Sequence, residues 1–151
     1  MLVELNKKQD TEALAKKIAK STRMGDVILL KGDLGVGKTF FAKNFIKYFF
    51  PNQDVTVNSP TFNLVQTYTT NLFTIWHFDL YRLKTVEEIF ELGVEQAFDE
   101  AVSIIEWPEL IQTILPKNVL EIEFSFNEKT DQRQVSLRLY GEWKNRSDEI
   151  L

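Results

Sequence analysis

Val27-Ile-Leu-Leu-Lys31-Gly32-Asp-Leu-Gly-Val-Gly37-Lys38-Thr39 runs from an apolar segment straight into a glycine-rich loop. Its first four residues are apolar without alternation, the pattern of a short strand buried on both faces of a parallel sheet. Residues 32–39 then satisfy G-x-x-x-x-G-K-[ST] at every fixed position. Glycines allow the backbone to turn with its N–H groups facing one concavity, and the N-terminus of a following helix adds a favourable field for an anion. Downstream, Phe40, Phe41, Phe45, Ile46 and Phe49 recur at helical spacing, and Pro51 stops the helix. Lys38 supplies a point charge for β- and γ-phosphates, and the Thr39 hydroxyl is a hard oxygen ligand suited to Mg²⁺.

Working outward, Asp10-Thr-Glu12 ahead of Ala13, Leu14, Ile18 and Ala19 predicts a capped amphipathic helix over roughly 11–22. Val55-Thr-Val57 reads as a short strand. Leu64–Thr70 and Leu72–Phe78 read as an antiparallel hairpin joined at Asn71, and Val119–Phe126 with Arg133–Tyr140 as a second hairpin over 127–132. Thr85–Leu92 and Val94–Phe98 read as helices separated by Gly93. Val102–Ile105 is another apolar strand, and Pro108 opens a helix ending near Leu115. The alternation implies an α/β fold, a P-loop NTPase three-layer sandwich with a mainly parallel central sheet and antiparallel additions from 64–78 and 119–140. The whole of 1–151 is expected to form one P-loop domain, with the polar residues 142–151 frayed.

Composition excludes several chemistries. The chain has 151 residues, no cysteine and one histidine, so thiol catalysis, disulfides, cysteine-ligated metals and a multi-histidine metal site are ruled out. No apolar run approaches the ~20 residues of a membrane span, which with the absence of a signal segment and of cysteine points to a cytoplasmic protein without a membrane partner. The net charge of −4 hides an asymmetry: residues 1–50 hold ten Lys/Arg against five Asp/Glu, whereas 51–151 hold eight against seventeen. Eight carboxylates and no Lys or Arg lie between Thr85 and Pro116. Such a stretch is either a solvated face or a dock for a basic partner. Overall acidity argues against this chain gripping DNA or RNA by itself, since neutralising phosphates takes clustered cations.

Hydrolysis needs more than a phosphate loop: a carboxylate for Mg²⁺ and a group that positions water. Asp79 follows Ile75-Trp-His-Phe78 and Glu106 follows Val102-Ser-Ile-Ile105, at strand ends where α/β sheets collect their ligands. Thr61, in Asn58-Ser-Pro-Thr-Phe62, lies in a loop that could order against a γ-phosphate. His77, between Trp76 and Phe78, reads as a packed, hydrogen-bonded histidine rather than a general base. Trp107, next to Glu106, either covers the site or fills core. No Asn-Lys-x-Asp guanine motif is present, which favours ATP over GTP.

Four segments in this order, Gly32–Thr39, Ser59-Pro-Thr-Phe62, His77-Phe-Asp-Leu-Tyr-Arg82 and Ile105-Glu-Trp107, resemble the TsaE (formerly YjeE) family of small bacterial ATPases of tRNA threonylcarbamoyladenosine formation. The likeness spans about residues 5–141. It implies a P-loop ATPase that binds ATP/ADP and Mg²⁺ and works with TsaD- and TsaB-type proteins, meeting tRNA only through them and not itself transferring the threonylcarbamoyl group. Carried over, the nucleotide set is Gly32, Asp33, Leu34, Gly35, Val36, Gly37, Lys38, Thr39 and Phe40. The helix start, Gln9 to Thr11, lies near adenine, Trp107 lies near the nucleotide, and Arg133 contacts it. Thr39, Glu106 and Asp79 serve Mg²⁺, and Lys38, Thr61, Asp79 and Glu106 form the catalytic group. Read from the residues alone, a small-molecule kinase and a nucleotide-dependent switch without useful turnover stay open as alternatives. Arginines are sparse after Lys47 (Arg82, Arg133, Arg138 and Arg146), and no insertion has the length of a kinase lid.

Overall fold

The strand before the phosphate loop, β2 (Val27–Lys31), lies in the interior of a seven-stranded sheet, and its four apolar residues are buried on both faces. The structure, a computed structural model, describes residues 1–151. β2 is flanked by parallel neighbours, β5 (Val102–Glu106) on one side and β6 (Val119–Phe126) on the other. β4 (Thr74–Asp79) runs parallel to β5 and carries β3 (Val65–Thr69) antiparallel at the edge. At the other edge β7 (Arg133–Leu139) pairs antiparallel with β6, and β1 (Leu2–Leu5) pairs antiparallel with β7. The order is therefore β1-β7-β6-β2-β5-β4-β3, with a parallel centre and antiparallel margins.

Strand alternation splits the core into two layers. Ile28 and Leu30 face one side with Ile104, Leu120 and Ile122, beneath α1 (Lys8–Ser21) and α2 (Lys38–Tyr48). Val27 and Leu29 face the other with Ile105 and Val119, beneath α3 (Val86–Glu91), α4 (Val94–Glu100) and a 3₁₀ segment, Pro108–Ile114. Helices on both faces of a sheet with a parallel centre give the three-layer α/β architecture expected from the sequence. α3 starts where Thr85 and Glu88 bond reciprocally: Glu88 N–H donates to Thr85 Oγ1 at 3.4 Å and Thr85 N–H to Glu88 Oε1 at 3.1 Å. Gly93, at φ +89°, makes the bend between α3 and α4 as the sequence suggested. The acidic stretch divides: Glu87, Glu91, Glu95, Asp99 and Glu100 stand in solvent, whereas Glu106 is buried. Phe41, Phe45 and Ile46 fill the first core layer, with Phe49 and Phe50 packed against its rim.

Several expectations need correction. The first helix begins at Lys8, not near residue 11, and Asp10 sits in its first turn, where its carboxylate takes the Lys7 backbone N–H at 3.0 Å. β1 went unrecognised: four residues with one buried side chain leave little periodicity to read. Val55–Val57 forms no strand and pairs with no neighbour in the sheet; Val57 is buried by packing into the core. The helix expected after Pro108 is a 3₁₀ segment.

Residues 142–151 are not frayed as their polarity suggested. A 3₁₀ turn, Gly141–Arg146, leads into the short α5 (Ser147–Ile150), and Trp143, Arg146 and Ile150 are buried. Arg146 donates to both Asp26 carboxylate oxygens, at 2.7 and 2.9 Å, and to the Ser21 carbonyl at 2.6 Å; its guanidinium lies 4.1 Å from the Trp143 ring centre. A bidentate buried pair such as this ties the chain end to the turn ahead of β2. Removing one partner strands the other charge, so Arg146→Ala is expected to cost about 3–5 kcal/mol in urea unfolding, and a loss under about 1 kcal/mol would contradict the pairing.

Candidate functional site

The phosphate loop leaves β2 at Gly32, whose φ of +136° belongs to glycine, and a Cβ there would meet the Phe124 carbonyl at 2.7 Å and Val36 Cγ1 at 2.8 Å. The loop is thus pressed against β6. Gly37, at φ +115°, turns the chain into α2, so that the first backbone N–H groups of that helix lie free of intrahelical partners. Arg133, at the start of β7, crosses above this turn: a Cβ on Gly37 would lie 3.8 Å from Arg133 Cδ.

Parallel register brings the acidic groups to the same level. Leu30 of β2 pairs with Glu106 of β5, and Glu106 pairs with Asp79 of β4, all at the carboxyl ends of adjacent strands. Thr39 Oγ1 donates to Glu106 Oε1 at 2.8 Å, and His77 Nε2 lies 2.7 Å from Glu106 Oε2. Asp79 is held on both oxygens, receiving the Tyr81 backbone N–H on Oδ1 at 3.1 Å and the Thr61 hydroxyl on Oδ2 at 3.5 Å. Ser59 Oγ and Thr61 Oγ1 are 2.7 Å apart. Hydroxyl and carboxylate oxygens grouped at a helix N-terminus are the hard donors that Mg²⁺ prefers, and they fit that ion.

Lys38 donates to the Gly32 carbonyl, and its Nζ stands 3.3 Å from the Trp107 ring centre. Burial lowers the Lys38 ammonium below the usual lysine range, while Glu106, Glu109, Asp79 and Asp33 act in the opposite direction. Trp107 has φ +57°, a left-handed turn that ends β5 abruptly, and its ring packs 4.8 Å from that of Tyr81. This left-handed non-glycine turn beside the carboxylates sets the indole against Lys38 and Tyr81.

These groups open onto one cleft of about 760 Å³. Of the residues singled out from sequence, Thr11, Leu34, Gly35, Gly37, Lys38, Thr39, Phe40, Thr61, Asp79, Glu106, Trp107 and Arg133 line it. Gly32, Asp33 and Val36 do not: Gly32 packs on β6, Val36 turns into the core, and Asp33 points to solvent while its carbonyl takes the Val36 N–H at 3.2 Å. His77 is the packed, hydrogen-bonded histidine expected, and Trp107 lines the cleft rather than the core. Missed lining residues come from four places: Leu5 to Lys8 where β1 passes into α1, Ser59 beside Thr61, Tyr81 and Arg82 after β4, and Phe126, Asp131 and Gln132 around the β6–β7 turn. The first group was hidden with β1, while Tyr81 and Arg82 stood within the recognised His-x-Asp-x-Tyr-Arg segment.

A phosphate loop between the central parallel strand and its helix, with carboxylates at the ends of the two next strands, defines a P-loop fold, a class built around nucleotide phosphates. A family model described as "Threonylcarbamoyl adenosine biosynthesis protein TsaE" matches residues 5–135. The chain is 49% identical over 118 residues to the TsaE protein of Rickettsia bellii, covering 78% of this chain and 81% of that one. To the TsaE protein of Bacillus subtilis it is 35% identical over 136 residues, covering 88% and 82%. The crystal structure of YdiB from Bacillus subtilis superposes with a TM-score of 0.73 at 28% identity, over 99% of this chain and 90% of that one. The chain belongs to the TsaE family, and thereby to tRNA threonylcarbamoyladenosine biosynthesis.

The contrast between two glycines tests the loop's seating. Gly25 and Gly32 both have positive φ, but a Cβ on Gly25 meets nothing within 4 Å. Gly25→Ala is expected to cost only the roughly 1–2 kcal/mol of a left-handed alanine in urea unfolding, and Gly32→Ala clearly more. Equal losses would mean that the loop does not press on β6.

Proposed function

We propose that this chain is the Mg²⁺-dependent ATP-binding and ATP-hydrolysing subunit of the machinery that forms threonylcarbamoyl on adenosine 37 of tRNA. It acts in the cytoplasm with TsaD- and TsaB-type proteins and is not the transferase. The observation that carries this reading is the convergence of Thr39, Glu106, Asp79 and Thr61 on the mouth of the phosphate loop. A binding switch needs the loop and a carboxylate for Mg²⁺; a second carboxylate placed to orient water, Asp79, is what hydrolysis adds.

Thr39 and Glu106 would hold Mg²⁺, with Asp79 behind them. When bound, the ion would neutralise charge on the β- and γ-phosphate oxygens. The loop N–H groups and the start of α2 bind the phosphates, and Lys38 leaves the Gly32 carbonyl to reach them. Asp79, fixed by Tyr81 and Thr61, orients the attacking water, and Thr61 couples that carboxylate to the Ser59–Thr61 loop. Arg133 closes over the loop from β7. The nucleotide site draws on the basic first third of the chain, whereas the acidic remainder leaves tRNA contact to partners.

The test is ATP turnover by the purified chain with and without TsaD, TsaB and tRNA, scored also for tRNA modification. Slow hydrolysis alone, changed by the partners and needed for modification, is expected. Phosphate appearing on a small molecule rather than as inorganic phosphate would establish a kinase instead. Lys38→Ala is expected to weaken ATP about 10- to 100-fold, the worth of one charge-assisted contact, with thermal stability retained. Unchanged binding and turnover would contradict the assignment of the loop.

A further inference from the structure

His77 is fully buried on β4, two residues before Asp79, and pairs across the ladder with Ile104, two residues before Glu106. The i, i+2 spacing puts the imidazole on the same face of the sheet as the two carboxylates and one step deeper into the protein. From there Nε2 meets Glu106 Oε2 at 2.7 Å, while Thr39 meets Oε1 from the loop side at 2.8 Å. A carboxylate that ligates a cation only accepts, so in that role Glu106 takes its hydrogen bond from a protonated Nε2. Nδ1 has no partner in the protein. The opposite tautomer would set a bare Nε2 lone pair against the carboxylate and bury an unpaired Nδ1–H, so the contact selects one tautomer.

A glutamate side chain at the end of a strand has three rotatable bonds, and a single hydrogen bond leaves its carboxylate free to turn. Of the two anchors, the Thr39 hydroxyl is the one whose oxygen is also the proposed cation ligand. The imidazole is the anchor that no ligand in the cleft competes for, because it is shut off from the cleft. We infer that His77 is a positioning residue of the metal centre, donating from Nε2 to hold the Glu106 carboxylate in its ligating orientation. This rests on the reading of Glu106 as a Mg²⁺ ligand. Simple filling of the core would need only the ring's volume and would be met by phenylalanine; positioning needs the N–H.

Binding of a fluorescent, non-hydrolysable ATP analogue to the full chain, titrated with Mg²⁺, tests it across wild type, His77→Phe, His77→Gln and Glu106→Gln. Phenylalanine keeps the volume without a donor, while the glutamine amide N–H reaches the Nε2 position. His77→Phe is expected to raise the Mg²⁺ concentration of half-effect by about 10-fold or more, as loss of an outer-shell partner does, with analogue affinity in EDTA retained; His77→Gln recovers most of that. A shift in Glu106→Gln together with a wild-type titration in folded His77→Phe would overturn the role of His77 alone. No shift in Glu106→Gln would overturn the metal role of Glu106 on which it stands. His77 is the chain's only histidine, so ¹⁵N-imidazole NMR of the wild type reads this ring without any variant. The Nε2–H tautomer is expected, and an Nδ1–H tautomer would overturn the inference even if the phenylalanine variant fails to fold.

Discussion

β2 and β5 pair in parallel from Val27 beside Ser103 to Leu30 beside Glu106. That ladder sets Leu30 beside Glu106, so the phosphate loop leaves one strand at the level where the adjacent strand ends in a carboxylate. β4 repeats the device one strand further out with Asp79. A slip of one residue in either ladder would turn these side chains to the opposite face of the sheet. The burial of β2 and β5 on both faces resists such a slip, since Ile28 and Leu30 pack beneath α1 and α2 while Val27 and Leu29 pack beneath α3 and α4. The site's geometry is in this sense a product of core packing.

Around that register, each element contributes through a local rule. Glycine at 32 lets the loop lie against β6, and glycine at 37 turns it into α2. Trp107, in a left-handed turn, ends β5 directly after Glu106 and stands its ring over Lys38. The β6–β7 hairpin returns the chain so that Arg133 crosses the loop from above. Arg146, paired with Asp26, fastens the chain end to the turn that delivers β2. Groups far apart in sequence thus share one cleft because six segments terminate at the same end of the sheet.

The parts legible in sequence were those whose signal is local. The apolar run of β2, the glycine spacing of the loop, the helical period of α2 and the Gly93 bend each speak through their own residues. β1 was not legible, since an edge strand of four residues gains its identity from β7. Val55–Val57 has strand-forming residues but pairs with no strand of the sheet. The polar tail concealed a buried Trp143 and an arginine that becomes a core residue only once Asp26 is its partner. Among site residues, the loop, Glu106 and Asp79 follow from motif and strand end, whereas Leu5 to Lys8 and the 131–132 turn join the cleft by tertiary convergence alone. His77 could be read as packed and hydrogen-bonded, but its partner is a matter of register.

A crystal structure with a non-hydrolysable ATP analogue, and Mn²⁺ in place of Mg²⁺, tests whether the phosphate loop and the ends of β4 and β5 form one nucleotide–metal site. The phosphates are expected on the 32–39 loop and the anomalous peak against Thr39 Oγ1, reaching Glu106 directly or through one water. A nucleotide seated elsewhere, or a metal peak away from Thr39 and Glu106, would contradict it.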